Sequence, residues 1–161
     1  LHRVDRRQRQ MCIRDSFRAT SALPFASKII EIKGKKYLDG GISDSIPIDF
    51  CESLGYDKII VVLTRPENNY KDDKLNFLYK LVYRKYPNLV SRLVNMGKDY
   101  EVVLKKIKDL ENENKIFVIR PPEVLKIGRL EKNEDKIQNV YDIGLNTGIK
   151  EIDNLLNYLN K

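Results

Sequence analysis

The sequence predicts an α/β fold, because continuous apolar runs of strand length alternate with segments of helical periodicity. Residues 58–64 read Lys-Ile-Ile-Val-Val-Leu-Thr, a β-branched run of the kind found in parallel strands that are buried on both faces. Residues 115–120, Lys-Ile-Phe-Val-Ile-Arg, form a second such run. Apolar residues recur at helical spacing between and after these runs, so we expect a sheet with helices packed against it.

The first part of the chain predicts a hairpin followed by a short helix. Two short strands, residues 28–32 and 36–38, flank a turn at Gly34. Pro47 then begins a helix over residues 48–54. The strand at 36–38, the helix at 48–54 and the strand at 58–64 follow one another closely along the chain. This order implies a right-handed crossover between the two strands.

The rest of the chain predicts several amphipathic helices and one strand. Gly97 is expected to separate two of the helices, and Pro121 and Pro122 to close the strand at 115–120. The predicted helices cover residues 75–86, 87–96, 98–110, 133–145 and 149–159.

The first sixteen residues differ from the rest of the chain. They have no helical or strand periodicity and contain five of the eleven arginines. Residues 6–16 resemble, codon by codon, a transposon-type sequencing adapter translated in one frame. We therefore predict that residues 1–16 are a non-native, disordered assembly scar and exclude them from the fold. The alternative is a basic arm that binds nucleic acid.

Charge and cysteine content narrow the function classes. The chain carries a formal net charge of +7, of which residues 1–16 contribute +3, from five arginines against Asp5 and Asp15. The remaining lysines are interspersed with acidic residues, as on a solvated surface, so no nucleic-acid partner is expected. The lone histidine is His2, and Cys51 is the one cysteine after residue 16, so no zinc cluster and no internal disulfide are expected. A cytoplasmic location, with possible membrane association, follows as an expectation.

The candidate site is an aspartate at the end of a strand. Asp39 follows Tyr-Leu and precedes Gly40 and Gly41, and residues without Cβ allow backbone to pack closely around a carboxylate. The chain contains no Gly-x-Ser-x-Gly sequence and no glycine-rich loop before this motif, so Asp39 looks like half of a site. A tight turn with a solvated aspartate is the alternative. Asp44 either accepts backbone N–H bonds from the loop around Asp39 or forms a local cap.

These residues resemble a known family. Residues 17–66 contain Ala-Thr-Ser-Ala-Leu-Pro, then Tyr-Leu-Asp-Gly-Gly, Ile-Pro-Ile and Ile-Ile-Val-Val-Leu-Thr-Arg-Pro, and this order resembles the C-terminal half of a bacterial patatin-like phospholipase domain. The later Ile-Phe-Val-Ile-Arg-Pro-Pro and Leu-Lys-Ile-Gly-Arg-Leu-Glu resemble the tail of one bacterial branch. The resemblance implies part of a three-layer α/β/α catalytic domain over 17–66. A helix-rich region with one further strand is then expected over 67–161.

The resemblance also implies a chemistry. In the family, a serine on a nucleophile elbow attacks an ester carbonyl and an aspartate serves as its base, without a metal or organic cofactor. Asp39 matches that base, with Gly40 and Gly41 shaping its turn. The serine and the oxyanion loop would precede Phe17, so this chain is expected to be an inactive fragment of a lipid acyl hydrolase. The alternative is a non-catalytic α/β binding or regulatory module.

The expected partners are lipids. A lipid or fatty acyl ester is the substrate that the resemblance implies, while the oligomeric state is left open. Residues 77–86 mix aromatic rings with Lys80, Arg84 and Lys85 and suggest either an interfacial helix at an anionic membrane or a domain helix whose aromatics pack inward. Strands that have lost upstream neighbours would leave an open edge, so poor solubility is expected.

Overall fold

The computed structural model describes residues 13–67, 76–128 and 131–160. Residues 1–12 of the predicted scar and the predicted start of a helix at Leu75 lie outside these ranges. The helices are α1 (residues 13–20), α2 (Ile48–Ser53), α3 (Asn76–Val82), α4 (Pro87–Asn112) and α5 (Glu134–Leu159). The strands are β1 (Ile30–Ile32), β2 (Lys35–Tyr37), β3 (Ile59–Val62) and β4 (Ile116–Ile119).

The chain divides into two compact units. Among the described residues, unit 1 contains those up to Pro47 and those from 76 to 100. Unit 2 contains residues 48–67 and those from Glu101 onward. The α/β class and the helical C-terminal region, both predicted from the sequence, are therefore confirmed. Residues 13–16 belong to α1, so these four residues of the predicted scar are helical rather than disordered.

The hairpin in unit 1 forms as its turn residues predict. Strands β1 and β2 are antiparallel, and Ile32 pairs with Lys35 across a two-residue turn. Lys33 and Gly34 have φ values of 50° and 75°, so both central residues lie in the left-handed region. This is the backbone of a two-residue hairpin turn whose twist matches that of its strands.

Strand β3 pairs with β4 rather than with the hairpin. The two strands are parallel, with Ile59 opposite Ile116 and Val62 opposite Ile119. Strand β2 belongs to a separate sheet with β1, so the crossover expected between residues 36–38 and 58–64 is not formed within the described chain. The sequence pattern identified both strands but not the partner of each, because pairing depends on contacts distant in sequence.

The long helices are more continuous than their glycines predict. The expected break at Gly97 is absent, since α4 runs without interruption from Pro87 to Asn112. The gap expected between residues 145 and 149 is also absent, and α5 continues through Gly144 and Gly148. A glycine inside a helix costs about 1 kcal/mol relative to alanine. Packing along a 26-residue helix offsets that cost.

Tyrosines of α3 and the segment after it form the core of unit 1. Tyr79 and Tyr83 are 4% and 6% exposed and cluster with Ile42 and Leu93. The burial of the Tyr79 and Tyr83 rings agrees with the domain-helix interpretation for these two residues, and membrane contact by the rest of the segment stays a prediction. Phe77 on the same helix is instead 75% exposed.

The sheet of unit 2 is covered on one face. Val61 and Ile116 are buried, but Ile60 and Val62, which alternate with Val61 along β3, are 43% and 69% exposed. The expectation that residues 58–64 are buried on both faces is therefore wrong for β3, within the part of the chain that the structure describes. The apolar run needs cover on both sides, and the described residues supply it on one. Within the described ranges, no helix is both long enough and apolar enough to cross a bilayer.

Candidate active site

Asp39 lies directly after β2 and caps a single 3₁₀ turn, Gly40–Ile42. Its backbone is extended, with φ −48° and ψ 131°, and its Oδ1 accepts a hydrogen bond of 2.8 Å from the Gly41 N–H. An aspartate before two glycines is a natural capping sequence, because its short side chain reaches the backbone two residues ahead. The carboxylate is thereby held in one orientation.

The other carboxylate oxygen is free within the described chain. Oδ2 of Asp39 has no hydrogen-bond partner there, and Asp39 lines a cavity of about 270 Å³ together with Lys36, Ser43 and Tyr86. A larger cavity of about 690 Å³ is lined by Thr20, Leu38, Gly40 and further residues of α1 and the hairpin. One carboxylate oxygen is therefore held by the backbone, and the other makes no hydrogen bond within the described chain.

The backbone of Asp39 is tied to the loop that follows α1. The Asp39 N–H donates to the carbonyl of Ala22 over 3.0 Å. Ala22 lies in the Ser-Ala-Leu-Pro motif and is 1% exposed. The two motifs that the sequence analysis quoted separately are therefore in direct contact.

The same loop is anchored by an unusual phenylalanine. Phe25 has a φ of 65°, in the left-handed region, and its N–H donates to the Tyr83 hydroxyl over 3.0 Å. Its ring stacks on Tyr79, with 5.1 Å between the ring centroids. Because these contacts fix Phe25 to the core of unit 1, they also fix the loop that receives the Asp39 N–H.

The residues after Asp39 are held from two directions. The Ser45 hydroxyl donates to the Gly41 carbonyl over 2.7 Å. The Arg92 guanidinium, on α4, donates to the Ser43 carbonyl and forms an ion pair of 3.2 Å with Asp99. Neither contribution was found from the sequence, since Arg92 is 49 residues from Ser43 and carries no local motif.

The predicted loop residues have different roles. A Cβ at Gly41 would lie 3.1 Å from Asp39 Oδ1, which is tighter than most real contacts, whereas a Cβ at Gly40 would meet Thr20 Oγ1 at an ordinary 3.8 Å. The absence of a side chain therefore matters at Gly41. The Asp44 carboxylate accepts no hydrogen bond from the described residues, and its N–H donates to the Gly40 carbonyl over 3.0 Å. A role for the Asp44 side chain in the loop stays a prediction.

Lys36 is a cation in the same cavity as Asp39. Its Nζ donates to the Tyr86 hydroxyl over 3.1 Å and lies 5.2 Å from the centre of the Tyr86 ring. The hydrogen bond to Tyr86 raises the pKa of Lys36 above its ordinary value of 10.5. Lys36 is therefore charged at neutral pH, and the cavity beside the candidate base carries one positive charge.

No ligand set for a metal is present in the part of the chain that the structure describes. No group of three or more histidine, cysteine, aspartate or glutamate side chains converges there. Cys51, on α2, is a half-buried free thiol. The chemistry that this site offers comes from its carboxylate and its backbone.

Fold and site together define an α/β chain with a capped carboxylate at the edge of a cavity. Comparison with known families gives two matches. Residues 2–51, which include Asp39, match the family model of patatin-like phospholipases. Residues 86–160 match a domain of unknown function, DUF6363. The N-terminal match thus indicates a segment like that of a lipid hydrolase, and it begins inside the predicted scar, whose origin stays a prediction.

A relative is known in Escherichia coli strain K12. The chain is 29% identical over 136 residues to the uncharacterized protein YjjU of that organism. The similarity covers 81% of this chain and 37% of YjjU. The chain therefore spans little more than a third of the length of this curated relative.

Proposed function

We propose that Asp39 is the general base of a serine lipid acyl hydrolase whose nucleophile is supplied by polypeptide outside this sequence. The observation that carries the proposal is the state of the carboxylate. Oδ1 is held by the Gly41 N–H, Oδ2 has no hydrogen-bond partner among the described residues, and Asp39 is one of the residues that line a cavity. The patatin-like match over residues 2–51 supports the assignment.

The reaction follows from what a positioned carboxylate can do. A serine hydroxyl is a weak nucleophile until a base accepts its proton. Oδ2 of Asp39 accepts that proton as the serine oxygen bonds to the ester carbonyl, and the proton then passes to the departing alcohol. The same oxygen next deprotonates a water molecule that attacks the acyl-enzyme. The released serine oxygen regains the proton, and a fatty acid leaves.

Asp39 can act without a histidine relay in this scheme. The sequence contains a single histidine, His2, and a carboxylate that contacts the nucleophile directly needs no intermediate base. The fixed Oδ1 takes the place of the orienting group that a triad would supply, because the Gly41 N–H prevents the carboxylate from rotating away.

The 161-residue chain is proposed to be inactive alone. It holds no Gly-x-Ser-x-Gly sequence, and a base without a nucleophile and an oxyanion site contributes little. Loss of a single oxyanion donor already costs about 10²- to 10³-fold in kcat. A fluorophosphonate probe, which labels activated serines, is therefore expected to leave this chain unlabelled. Labelling would show that the chain has its own nucleophile and would contradict the proposal.

The decisive test uses the longer protein that contains this sequence. Asp39→Asn keeps the size of the side chain and an acceptor for the Gly41 N–H but removes the base. We expect kcat for hydrolysis of a fatty acyl ester to fall about 10²- to 10⁴-fold. Asp57→Asn is the control, being an exposed carboxylate outside the Asp39 loop, and is expected to change kcat less than about threefold. Equal effects of the two substitutions would remove Asp39 from the mechanism.

A non-catalytic binding module is the second candidate, and a feature of unit 2 favours it. A cavity of about 620 Å³ is lined there by Lys58, Arg120, Asn114 and Asn157 beside the ring of Phe117. Cavities of this size hold small molecules, and the mostly polar and charged lining would suit a polar ligand rather than a lipid. A longer protein that hydrolyses no fatty acyl ester, with or without the substitution Asp39→Asn, would favour this candidate.

A further inference from the structure

Helix α3 is apolar on the side opposite Tyr79, its buried residue. Phe77, Leu78 and Leu81 are 75%, 43% and 57% exposed, whereas Tyr79 and Tyr83 lie in the core of unit 1. Helical spacing places Phe77 and Leu81 on one outward face, since residues four apart are neighbours on a helix. No described residue covers this face. We call this face, with the cations Lys80, Arg84 and Lys85, the outer patch of α3.

The charged residues of α3 and of the segment directly after it have a single sign. Residues 76–98 contain no aspartate or glutamate. Lys80 on α3, and Arg84 and Lys85 directly after it, are exposed, and none forms an ion pair within the described residues. An amphipathic surface with large apolar side chains and unneutralised cations has the composition of segments that bind at membrane interfaces.

The geometry points to a lipid bilayer with anionic headgroups as the occupant of the outer patch. Apolar side chains at such a surface enter the acyl boundary while the cations pair with phosphates. This inference goes beyond the proposed function, because binding to a bilayer requires neither a nucleophile nor turnover. Membrane binding and hydrolysis can therefore fail independently in experiments.

Charge complementarity selects a bilayer over a second copy of the chain. An isologous dimer through this patch would bring Lys80, Arg84 and Lys85 of one copy against the same residues of the other. Like charges facing one another disfavour that contact. Another exposed apolar stripe, on α5, includes Ile149, Ile152 and Leu156, and it is bordered by both signs of charge at Lys150, Glu151 and Asp153. The α5 stripe therefore carries no preference for an anionic surface.

Vesicle flotation with the 161-residue chain tests the inference. We expect the chain to float with vesicles that contain phosphatidylglycerol and much less with vesicles of phosphatidylcholine alone, and added salt should weaken the binding. The charge reversals Lys80→Glu, Arg84→Glu and Lys85→Glu, made together, should lower the partition coefficient at least about tenfold.

The matched control reverses three exposed lysines elsewhere. Lys105→Glu, Lys126→Glu and Lys150→Glu change the net charge by the same amount, and these lysines form no ion pair within the described residues. Residues 1–16 are retained in every variant, so their arginines contribute equally. Equal losses in the two triple variants would overturn the inference, because net charge alone would then explain binding.

A fluorescent reporter keeps the test independent of the charge variants' folding. The chain contains no tryptophan, so Phe77→Trp introduces a unique probe within the patch. Brominated acyl chains should quench this probe, and they should leave a Tyr141→Trp probe on α5 unquenched. Absence of quenching at position 77 would overturn the inference. The double variant Phe77→Ala, Leu81→Ala gives a second check. If it converts a dimer to a monomer and leaves vesicle binding unchanged, a second copy of the chain occupies the patch and the inference is overturned.

Discussion

Tyr158→Phe should destabilise unit 2 by removing one hydroxyl that joins its two strands. The Tyr158 hydroxyl donates to the Lys115 carbonyl over 2.9 Å and accepts from the Ile59 N–H over 3.2 Å. Ile59 begins β3 and Lys115 precedes β4, so the hydroxyl bridges the pair at one end. The ring is 9% exposed and contacts Phe117.

The magnitude follows from what each group loses. Phenylalanine retains the ring, so no cavity forms and the contact with Phe117 persists. The Ile59 N–H and the Lys115 carbonyl are left without this partner, and a buried unpaired group costs about 1–3 kcal/mol. Both groups lie near strand ends, where water can replace part of the loss. We therefore expect the free energy of unfolding to fall by about 2 kcal/mol.

Urea unfolding of the 161-residue chain measures this loss, with Tyr141→Phe as the control. Tyr141 is also on α5 but is 62% exposed, and its substitution should change stability by less than about 0.5 kcal/mol. The m-value should stay the same, and the Ile59 amide should exchange with solvent faster in Tyr158→Phe. If Tyr158→Phe costs no more than Tyr141→Phe, the bridge does not stabilise the sheet and the reasoning fails.

Three further predictions concern caps and anchors. Asn133 Oδ1 caps α5 through the Lys136 N–H, so Asn133→Ala should cost about 1 kcal/mol in urea unfolding, whereas Asn146→Ala within the helix should not destabilise. Hydrogen bonds, chiefly from the Asn133 N–H, hold the pKa of Glu131 below 4.5, so its stabilising effect is present above about pH 4.5 and is lost as the pH falls through the lowered pKa. The difference in unfolding midpoint between the wild type and Glu131→Gln should therefore vanish in acid. A difference that does not change with pH would argue that the hydrogen bonds to the Glu131 carboxylate do not stabilise the fold. Tyr83→Phe removes the partner of the Phe25 N–H and should cost about 1 kcal/mol, with faster exchange of the Phe25 amide as the readout.

Features with a local chemical cause were predictable from the sequence. The turn at Gly34, the strands at 58–64 and 115–120 and the short helix after Pro47 each depend on residues within a few positions of one another. The α/β class followed from them. The cap that Asp39 makes to Gly41 is equally local, although its significance required the cavity beside it.

Features that depend on distant residues were not predictable. Arg92 reaches the Ser43 carbonyl across 49 residues, and Tyr158 reaches Ile59 across 99. Neither residue type nor spacing distinguishes these side chains from the other arginines and tyrosines of the sequence. Gly97 was misread for the same reason, because tertiary packing decided whether the helix continued through it.

Helix α3 shows how one short segment serves two purposes in unit 1. Tyr79 on its inner face, with Tyr83 just after the helix, packs with Ile42 at the end of the turn that Asp39 caps. Its outer residues, Phe77 and Leu81, point away from that core and lie among unneutralised cations. A rigid helix of seven residues cannot move one face without the other. If the outer patch binds a bilayer, the turn that carries the proposed base is therefore held at a fixed depth relative to the lipid that it would hydrolyse.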